Sequence, residues 1–220
     1  MSSTNETNLE EKIKTPYEIK QLTTEHTEEF SNLILNMYAN LKNLEWFSPM
    51  PYDNENVKAM IENPRFYIVG YFENGVLCAV SSLDYKCGKL IGTIDLPKDC
   101  NTEKLVEIAF TMVHSSCQGR GIMKILVAHL LEKLKADGFE WAFGKVHKDN
   151  LASSKSLLNR GFEFYSDFSK PVKVCDFKGL AEKPFILEET KIKAKETLSK
   201  IDTKTQETFN VDYKIIVKKL

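Results

Sequence analysis

The sequence lacks any long apolar run, and its first residues lack the pattern of a secretory signal. No apolar stretch approaches the roughly 18 residues that a helix needs to span a bilayer. Residues 1–14 are mostly Ser, Thr, Asn, Glu and Lys, whereas a signal peptide carries an apolar core. We therefore expect a soluble, cytoplasmic protein that has no membrane partner.

Cysteine and histidine are sparse and dispersed. The five cysteines include no Cys-x-x-Cys pair, and the four histidines form no cluster with ligand spacing. We therefore predict no metal site, and the odd number of cysteines predicts reduced thiols. Cys117 has two interpretations, a nucleophile or a small packing residue, and the lack of a Cys–His signature favours packing.

A surplus of charge is missing as well. Thirty basic residues nearly cancel 31 acidic ones, which argues against a nucleic-acid partner. The 220 residues are 42% hydrophobic, enough for one domain with its own core. We expect a flexible N-terminal segment over residues 1–15 and a single domain over 16–220. Within that domain we expect a charged insertion over 171–208 and a final strand over 209–218.

The hydrophobic pattern predicts an α/β protein. A strand at 17–22 and a helix at 25–41 are followed by a short helix that Asp53 caps. β-rich runs at 66–72 and 76–83 flank Asn74-Gly75, the preferred pair for a type I′ hairpin turn. Further strands are predicted at 105–113, 139–146 and 162–168, with helices at about 121–136 and 151–159. Residues 171–184 are predicted to be irregular, and 187–207 to form a highly charged helix.

Residues 113–123 are the most informative part of the chain. A strand runs into a short Gly-rich loop that opens directly into a helix. Unpaired N–H groups at the positive end of a helix dipole bind phosphate, so the loop predicts a phosphorylated cofactor. A dinucleotide fingerprint would need glycine in place of Lys124, and a P-loop would need Gly-Lys followed by Ser or Thr. An ordinary turn, in which Gly119 and Gly121 only relieve backbone strain, is the alternative.

The order of motifs from residue 103 to 168 resembles the GNAT superfamily of acyl-CoA-dependent N-acetyltransferases. The resemblance rests on a strand, a Gln-x-x-Gly loop, a long helix, a second strand, and Asn150 followed eleven residues later by a Gly-Phe pair. Gln118, Gly121 and Met123 occupy the family's loop positions, although Met123 replaces a small residue. The resemblance implies a mixed, mostly antiparallel sheet of six or seven strands with helices on both faces. Acetyl-CoA, the acyl donor, would lie in a wedge between two parallel strands.

The same resemblance implies which residues bind the coenzyme. The pantetheine arm would pair with the backbone of Met112 and Val113, as an added strand would. Asn150 and Ser154 would lie near this arm, although Asn150 is also well suited to be a helix N-cap. The diphosphate would lie in the turn formed by Gln118, Gly119, Arg120, Gly121, Ile122 and Met123.

The resemblance also implies a general base. Amide formation from a thioester needs a neutral amine, so some group must take up a proton. Glu107 lies eleven residues before Gln118, the offset of the general base in related GNAT enzymes. Strict alternation along the strand places Glu107 on the face of Ala109, Thr111 and Val113. The alternative is a glutamate on the sheet surface.

The general acid is less apparent. Many family members carry a tyrosine seven residues after the Asn, where this chain has Leu157. Tyr165, His147 or a water molecule are the candidates to replace it. A thiolate that leaves without assistance is the remaining alternative.

We expect transfer of an acetyl group from acetyl-CoA to a primary amine by direct attack in a ternary complex. A degenerate acyl-CoA-binding sensor or assembly module is the alternative. The loop at 46–52 either forms a lid over a small-molecule amine or simply covers the core, and protein amines stay open as acceptors. The charged helix at 187–207 is a candidate docking element for a partner or for a second subunit, which would form a homodimer.

Overall fold

In the part of the chain that the structure describes, seven strands form one sheet, in which one pair of neighbours is parallel. The protein is described here by a computed structural model, over residues 16–47, 50–182, 186–201 and 206–220. The strands are β1 (Tyr17–Gln21), β2 (Phe66–Glu73), β3 (Val76–Asp84), β4 (Leu105–Val113), β5 (Trp141–His147), β6 (Glu163–Lys173) and β7 (Thr208–Lys219). Their order is β1-β2-β3-β4-β5-β7-β6, with β4 and β5 parallel and the other neighbours antiparallel. The predicted mixed, mostly antiparallel sheet is confirmed, whereas the predicted tail over 1–15 lies outside the described residues.

Helices cover both faces of the sheet. They are α1 (Thr27–Asn40), α2 (Asn54–Glu62), α3 (Gly88–Ile91), α4 (Ile122–Ala136), α5 (Leu151–Leu158), α6 (Val174–Glu182) and α7 (Glu188–Ser199). Side chains of α1, α2, α6 and α7 share one apolar cluster, and those of α4 and α5 share a second cluster on the opposite face. None of the helices in the described ranges has both the length and the hydrophobicity needed to cross a bilayer.

Two local predictions follow the expected chemistry. Asn74 and Gly75 have φ angles of 50° and 79°, and a type I′ turn requires positive φ at both positions. The Asp53 carboxylate accepts a hydrogen bond from the backbone N–H of Asn56 at 3.0 Å, which caps α2. Both predictions are confirmed.

Strands β4 and β5 pair only where they begin. Their register contains three pairs, which end with Glu107 opposite Phe143. Beyond this point β4 continues to Val113 and β5 to His147 without pairing to each other. The two strands therefore separate, and a wedge opens between them at their carboxyl ends.

A β-bulge in β4 changes which residues accompany Glu107. Leu83 is opposite Ile108 and Ser82 is opposite Phe110, so Ala109 is an extra residue in β4. One extra residue reverses the alternation of faces. Glu107 therefore shares a face with Phe110 and Met112. The prediction that it shares a face with Thr111 and Val113 is wrong, whereas Ala109 packs against the same apolar cluster as Phe110 and Met112.

Strand β6 also contains a bulge. Phe164 is opposite Ile216, and Ser166 is opposite the adjacent residue of β7, Ile215. The bulge at Tyr165 places Phe164 and Phe168 on opposite faces, although strict alternation predicts a common face.

The chain after residue 168 is more regular than predicted. Strand β6 extends to Lys173 and includes Pro171, and α6 follows it directly. Because β6 is the edge strand, a proline within it is tolerated, and the expectation of an irregular segment is wrong. The predicted helix at 187–207 ends earlier, at Ser199, and residues 202–205 lie outside the described ranges. Strand β7 then enters the sheet between β5 and β6; the division into one domain with an insertion stays a prediction.

Candidate functional site

A large open cleft of about 1740 Å³ occupies the wedge between β4 and β5. Its floor is formed by residues of these two strands that follow the Glu107–Phe143 pair. Its rim comprises the Gly-rich loop before α4, the start of α5 and the loop after α1. The cleft therefore joins the sequence motifs that are far apart along the chain.

The Gly-rich loop has the backbone geometry of an anion site. Gly119 and Gly121 have φ angles of +77° and +83°, a left-handed conformation that is strained for other residues. Gly121 is the N-cap of α4, and Lys124 N–H is the first to bond back, to Gly121 O at 2.9 Å. The N–H groups of Ile122 and Met123 thus have no acceptor within the helix, and they lie at its positive end. The Ile122 side chain is fully buried, which fixes this turn against the core.

Two side-chain contacts hold the loop in place. Arg120 forms a bidentate ion pair with Glu73 at the end of β2, with Nη1 2.9 Å from Oε2. The Arg120 guanidinium lowers the pKa of Glu73, and Glu73 raises the pKa of Arg120. On the other side, Asn36 of α1 accepts the Ser115 N–H at 2.9 Å and donates to the Ser115 hydroxyl at 3.2 Å. The Arg120 side chain is therefore bound to Glu73, and its backbone N–H is the group that remains for a ligand.

Other residues predicted for the coenzyme occupy different parts of the cleft. Met112 and Val113 line it, and their backbones pair with β3 on one side while β5 has separated on the other. Gln118 also lines it, and its side-chain amide donates to the Val113 carbonyl at 3.3 Å. The open edge of β4 is the kind of edge to which an extended molecule can add.

Helix α5 presents a different serine from the one predicted. Asn150 lines the cleft, and its side chain accepts the Ser153 N–H at 3.2 Å as the N-cap of α5. Ser154 is buried on the core side of the helix, and Ser153 and Ser156 line the cleft in its place. Leu157 is buried as well, and a Cβ added to Gly144 would lie 3.3 Å from its Cδ1. Leu157 therefore fills space beside β5 with a methyl group and offers no hydroxyl.

Glu107 lies buried at the base of the wedge, with 3% of its surface exposed. Its Oε1 is 2.5 Å from Nζ of Lys145, which reaches across from β5. Burial raises the pKa of Glu107 because it disfavours the charged form, and Lys145 partly opposes this effect. On the neighbouring strand β3, Asp84 lies opposite Glu107 and forms its own ion pair with Arg65, whose Nε is 2.7 Å from Oδ1.

Of the two side chains predicted as candidates for the general acid, one lines the cleft and the other does not. Tyr165 is exposed and lies outside the cleft lining, with its hydroxyl donating to the Leu96 carbonyl at 2.8 Å. His147 lines the cleft, where its Nδ1 accepts the Asp149 N–H at 3.2 Å and burial lowers its pKa. Tyr213 of β7 also lines the cleft, packed edge-on against His147. The sequence indicated Tyr213 only as a member of an alternating strand, because its position opposite β5 depends on long-range pairing.

The loop after α1 borders the cleft and also packs on the core. Trp46, Phe47, Met50 and Pro51 line the cleft, and Phe47 and Met50 also pack against the core cluster. The Trp46 ring lies 6.5 Å from the ring of His147. Residues 48 and 49 of this loop lie outside the described ranges.

Cys117 lies in the loop before Gly119. It is buried within the second apolar cluster, and it also lines the cleft. Its burial among apolar side chains suits a packing residue.

Comparison with known proteins relates this chain to one family. A family model described as the acetyltransferase (GNAT) family matches residues 34–162. A search of curated proteins found no matching sequence. Many solved structures share the fold.

Three of these structures illustrate the likeness. A putative acetyltransferase from Acinetobacter baylyi ADP1 is 16% identical with a TM-score of 0.62, and the match covers 94% of each chain. The structure of yncA, a putative acetyltransferase from Salmonella typhimurium with its cofactor acetyl-CoA, is 14% identical with a TM-score of 0.60 and covers 93% of this chain and 94% of that one. The PaiA N-acetyltransferase from Thermoplasma acidophilum, in complex with coenzyme A, is 15% identical with a TM-score of 0.56 and covers 93% and 99%.

Proposed function

Because the chain belongs to the GNAT family of acetyltransferases, we propose that it transfers an acetyl group from acetyl-CoA to a primary amine by direct attack in a ternary complex. The observation that carries this proposal is the wedge between β4 and β5. It ends at a helix N-terminus built for an anion, and it has a buried carboxylate at its base. The helix N-terminus suits a diphosphate, the wedge suits an extended arm, and the carboxylate suits a reaction at the thioester.

The coenzyme fits the residues present. The N–H groups from Gly119 to Met123 would hold the diphosphate, which a positive helix end stabilises. The Met123 side chain packs against the second apolar cluster. The diphosphate would therefore contact only the backbone N–H of this residue. The arm would add to the open edge of β4 at Met112 and Val113. The solved structures of yncA with acetyl-CoA and of PaiA with coenzyme A support this assignment by their likeness in fold.

Glu107 is the proposed general base. The neutral amine attacks the thioester carbonyl, a C–N bond forms, and the C–S bond breaks to release the coenzyme thiolate. The amine nitrogen must lose one proton, and Glu107 takes it up directly or through a water. A raised pKa suits a carboxylate to this task, and Lys145 positions the carboxylate in the wedge.

The leaving thiolate needs a proton from another group. Tyr165 has no place in this step because it lies outside the cleft lining. We assign the step to Tyr213, a residue of β7 in the cleft lining. The acetyl group passes directly to the amine, so Cys117 has no nucleophilic role.

A second candidate function is an acyl-CoA-binding sensor or assembly module. The buried Leu157, at the position where many relatives carry a tyrosine, favours this alternative. A sensor needs the wedge and the Gly-rich loop but no acid or base.

Replacing Glu107 separates the two candidates. An enzyme with Glu107→Gln should lose about 10²–10⁴-fold in kcat while its acetyl-CoA Kd changes little. Thiol release with a panel of amines measures the first quantity, and calorimetry measures the second. The matched control is Glu140→Gln, an exposed glutamate outside the cleft lining, which should keep full activity.

The outcomes are distinct. Coenzyme binding without turnover of any amine by the wild type would support the sensor and contradict the enzyme. A protein that gains an acetyl group from acetyl-CoA alone, with parallel initial-rate lines, would contradict direct attack.

A further inference from the structure

Five charged side chains line one side of the cleft, and we call them the acceptor wall. They are Arg65, Asp84, Glu107, Lys145 and Lys170. All five are buried or half-buried. They lie on the face of the sheet that carries α1 and α2, at the base of the wedge and beside it.

The strand register places the two lysines of the acceptor wall on one face. Lys145 of β5 lies opposite Ile215, and Lys170 of β6 lies opposite Val211. Since these β7 residues are four apart, their partners point to the same side of the sheet. Lys145 contacts Glu107, so Lys170 faces the same space as the proposed base.

The acceptor wall is not electrically balanced. Arg65 is paired with Asp84, and Lys145 is paired with Glu107. Lys170 forms no ion pair with any residue in the described ranges, so it carries one unpaired positive charge. Burial and the neighbouring Lys145 ammonium lower the pKa of Lys170, whereas Glu107 and Asp176 raise it.

An unpaired, half-buried ammonium disfavours a cationic ligand and favours an anionic one. An acceptor with only an ammonium group would add a further positive charge to this wall. An acceptor that also carries a carboxylate would instead pair with Lys170 and complete the charge balance.

Resting on the proposed acetyl transfer, we infer that the acceptor is a small amino-carboxylate, whose carboxylate binds Lys170 while its amine faces Glu107 and the thioester. The acceptor wall thereby determines specificity for amines that carry an acid group. Lys170 binds substrate in this scheme and takes no part in proton transfer.

The test compares ω-amino acids of increasing chain length with the corresponding amides. The members of each pair differ in the charge of the acid group and in the basicity of the amine, and kcat/KM is measured by thiol release from acetyl-CoA. The amide of a short amino acid is the less basic amine and is therefore more often neutral at neutral pH. A preference for the acid cannot arise from ionisation of the amine.

The wild type should prefer at least one amino acid to its amide by about tenfold to a hundredfold in kcat/KM, the range for one charged hydrogen bond. Lys170→Met should abolish this preference mainly through the KM of the amine, and Lys170→Arg should keep most of it. Lys173→Met removes an exposed lysine of the same strand that is outside the cleft lining, and it should leave the preference intact.

Equal use of acids and amides by the wild type would overturn the inference, and this result does not depend on any variant folding. A folded Lys170→Met that keeps the preference would overturn it as well. A Lys170→Met variant that loses acetyl-CoA affinity instead would assign this lysine to the coenzyme and contradict the inference. Turnover of no amine in either series would overturn the proposed acetyl transfer itself.

Discussion

The buried pair of Glu107 and Lys145 makes a quantitative prediction for the variant Lys145→Met. The substitution removes the ammonium group and keeps an unbranched apolar side chain that is one atom shorter. Glu107, with 4% of its side chain exposed, is then left without the ammonium 2.5 Å away. Removing one partner of a buried ion pair costs about 3–5 kcal/mol of unfolding free energy, because the other charge is stranded.

The cost should depend on pH, because the stranded carboxylate can escape by binding a proton. The folded pKa of Glu107 lies above its unfolded value, so its contribution to stability is complete below the unfolded pKa and is lost as pH rises toward the folded pKa. Loss of Lys145 raises the folded pKa further and extends this loss to higher pH. Holding the carboxyl protonated costs about 1.4 kcal/mol per pH unit above an unfolded pKa of about 4.3. This protonation cost is the upper limit on the destabilisation, and it is about 5 kcal/mol near pH 8 and about 1.6 kcal/mol near pH 5.5.

Urea unfolding followed by circular dichroism, near pH 5.5 and near pH 8, measures these quantities. We expect the loss of unfolding free energy in Lys145→Met to be larger near pH 8 than near pH 5.5 by about 2 kcal/mol or more. Adding Glu107→Gln should restore most of the stability near pH 8, since no charge is then stranded. Lys148→Met removes an ion pair whose partners are both half exposed, and it should change stability little at either pH. An equal loss at both pH values, with no recovery in the double variant, would refute the reasoning.

Three further predictions concern the loop, the acid and the support of the loop. Gly119→Ala should lower acetyl-CoA affinity about tenfold and cost about 1–2 kcal/mol of stability. Gly138→Ala, at a residue with a similar φ at the far end of α4, should lose comparable stability but keep its affinity. Calorimetry measures the affinities and thermal unfolding the stabilities, and equal affinities would contradict a ligand at the turn. Tyr213→Phe should lower kcat about 10²-fold with the coenzyme Kd unchanged, and Tyr165→Phe should have no such effect, so identical thiol-release rates for the two variants would remove Tyr213 from the proposed step. Asn36→Leu removes two hydrogen bonds to the loop and should cost about 1–2 kcal/mol in urea unfolding together with weaker coenzyme binding; unchanged binding would show that the loop does not need this support.

Local signals in the sequence are sufficient for much of the fold and for the anion site. Asn74-Gly75 predicts its turn from a local requirement for positive φ, and Asp53 predicts the start of α2 from one hydrogen bond. The loop before α4 is recognisable because Gly119 and Gly121 lie in a short polar segment between a strand pattern and a helix pattern. In each case the cause and the consequence lie within one turn of the chain.

The sequence is less informative where pairing between distant strands decides the outcome. The bulge at Ala109 depends on how β3 and β4 align, so simple alternation places Thr111 and Val113 on the wrong face. Pro171 reads as a breaker until the topology makes β6 an edge strand. Tyr213 and Lys170 enter the cleft only because β7 and β6 follow β5 in the sheet, an order that no local pattern contains.

A structure of this protein with bound acetyl-CoA tests the proposed site most directly. We expect one coenzyme in the wedge, with its diphosphate within hydrogen-bonding distance of the N–H groups from Gly119 to Met123 and its pantetheine arm alongside β4 at Met112 and Val113. The thioester carbonyl carbon should lie within reach of an amine that contacts Glu107. A coenzyme bound elsewhere, or a turn before α4 that stays closed at millimolar coenzyme, would contradict the assignment of this cleft.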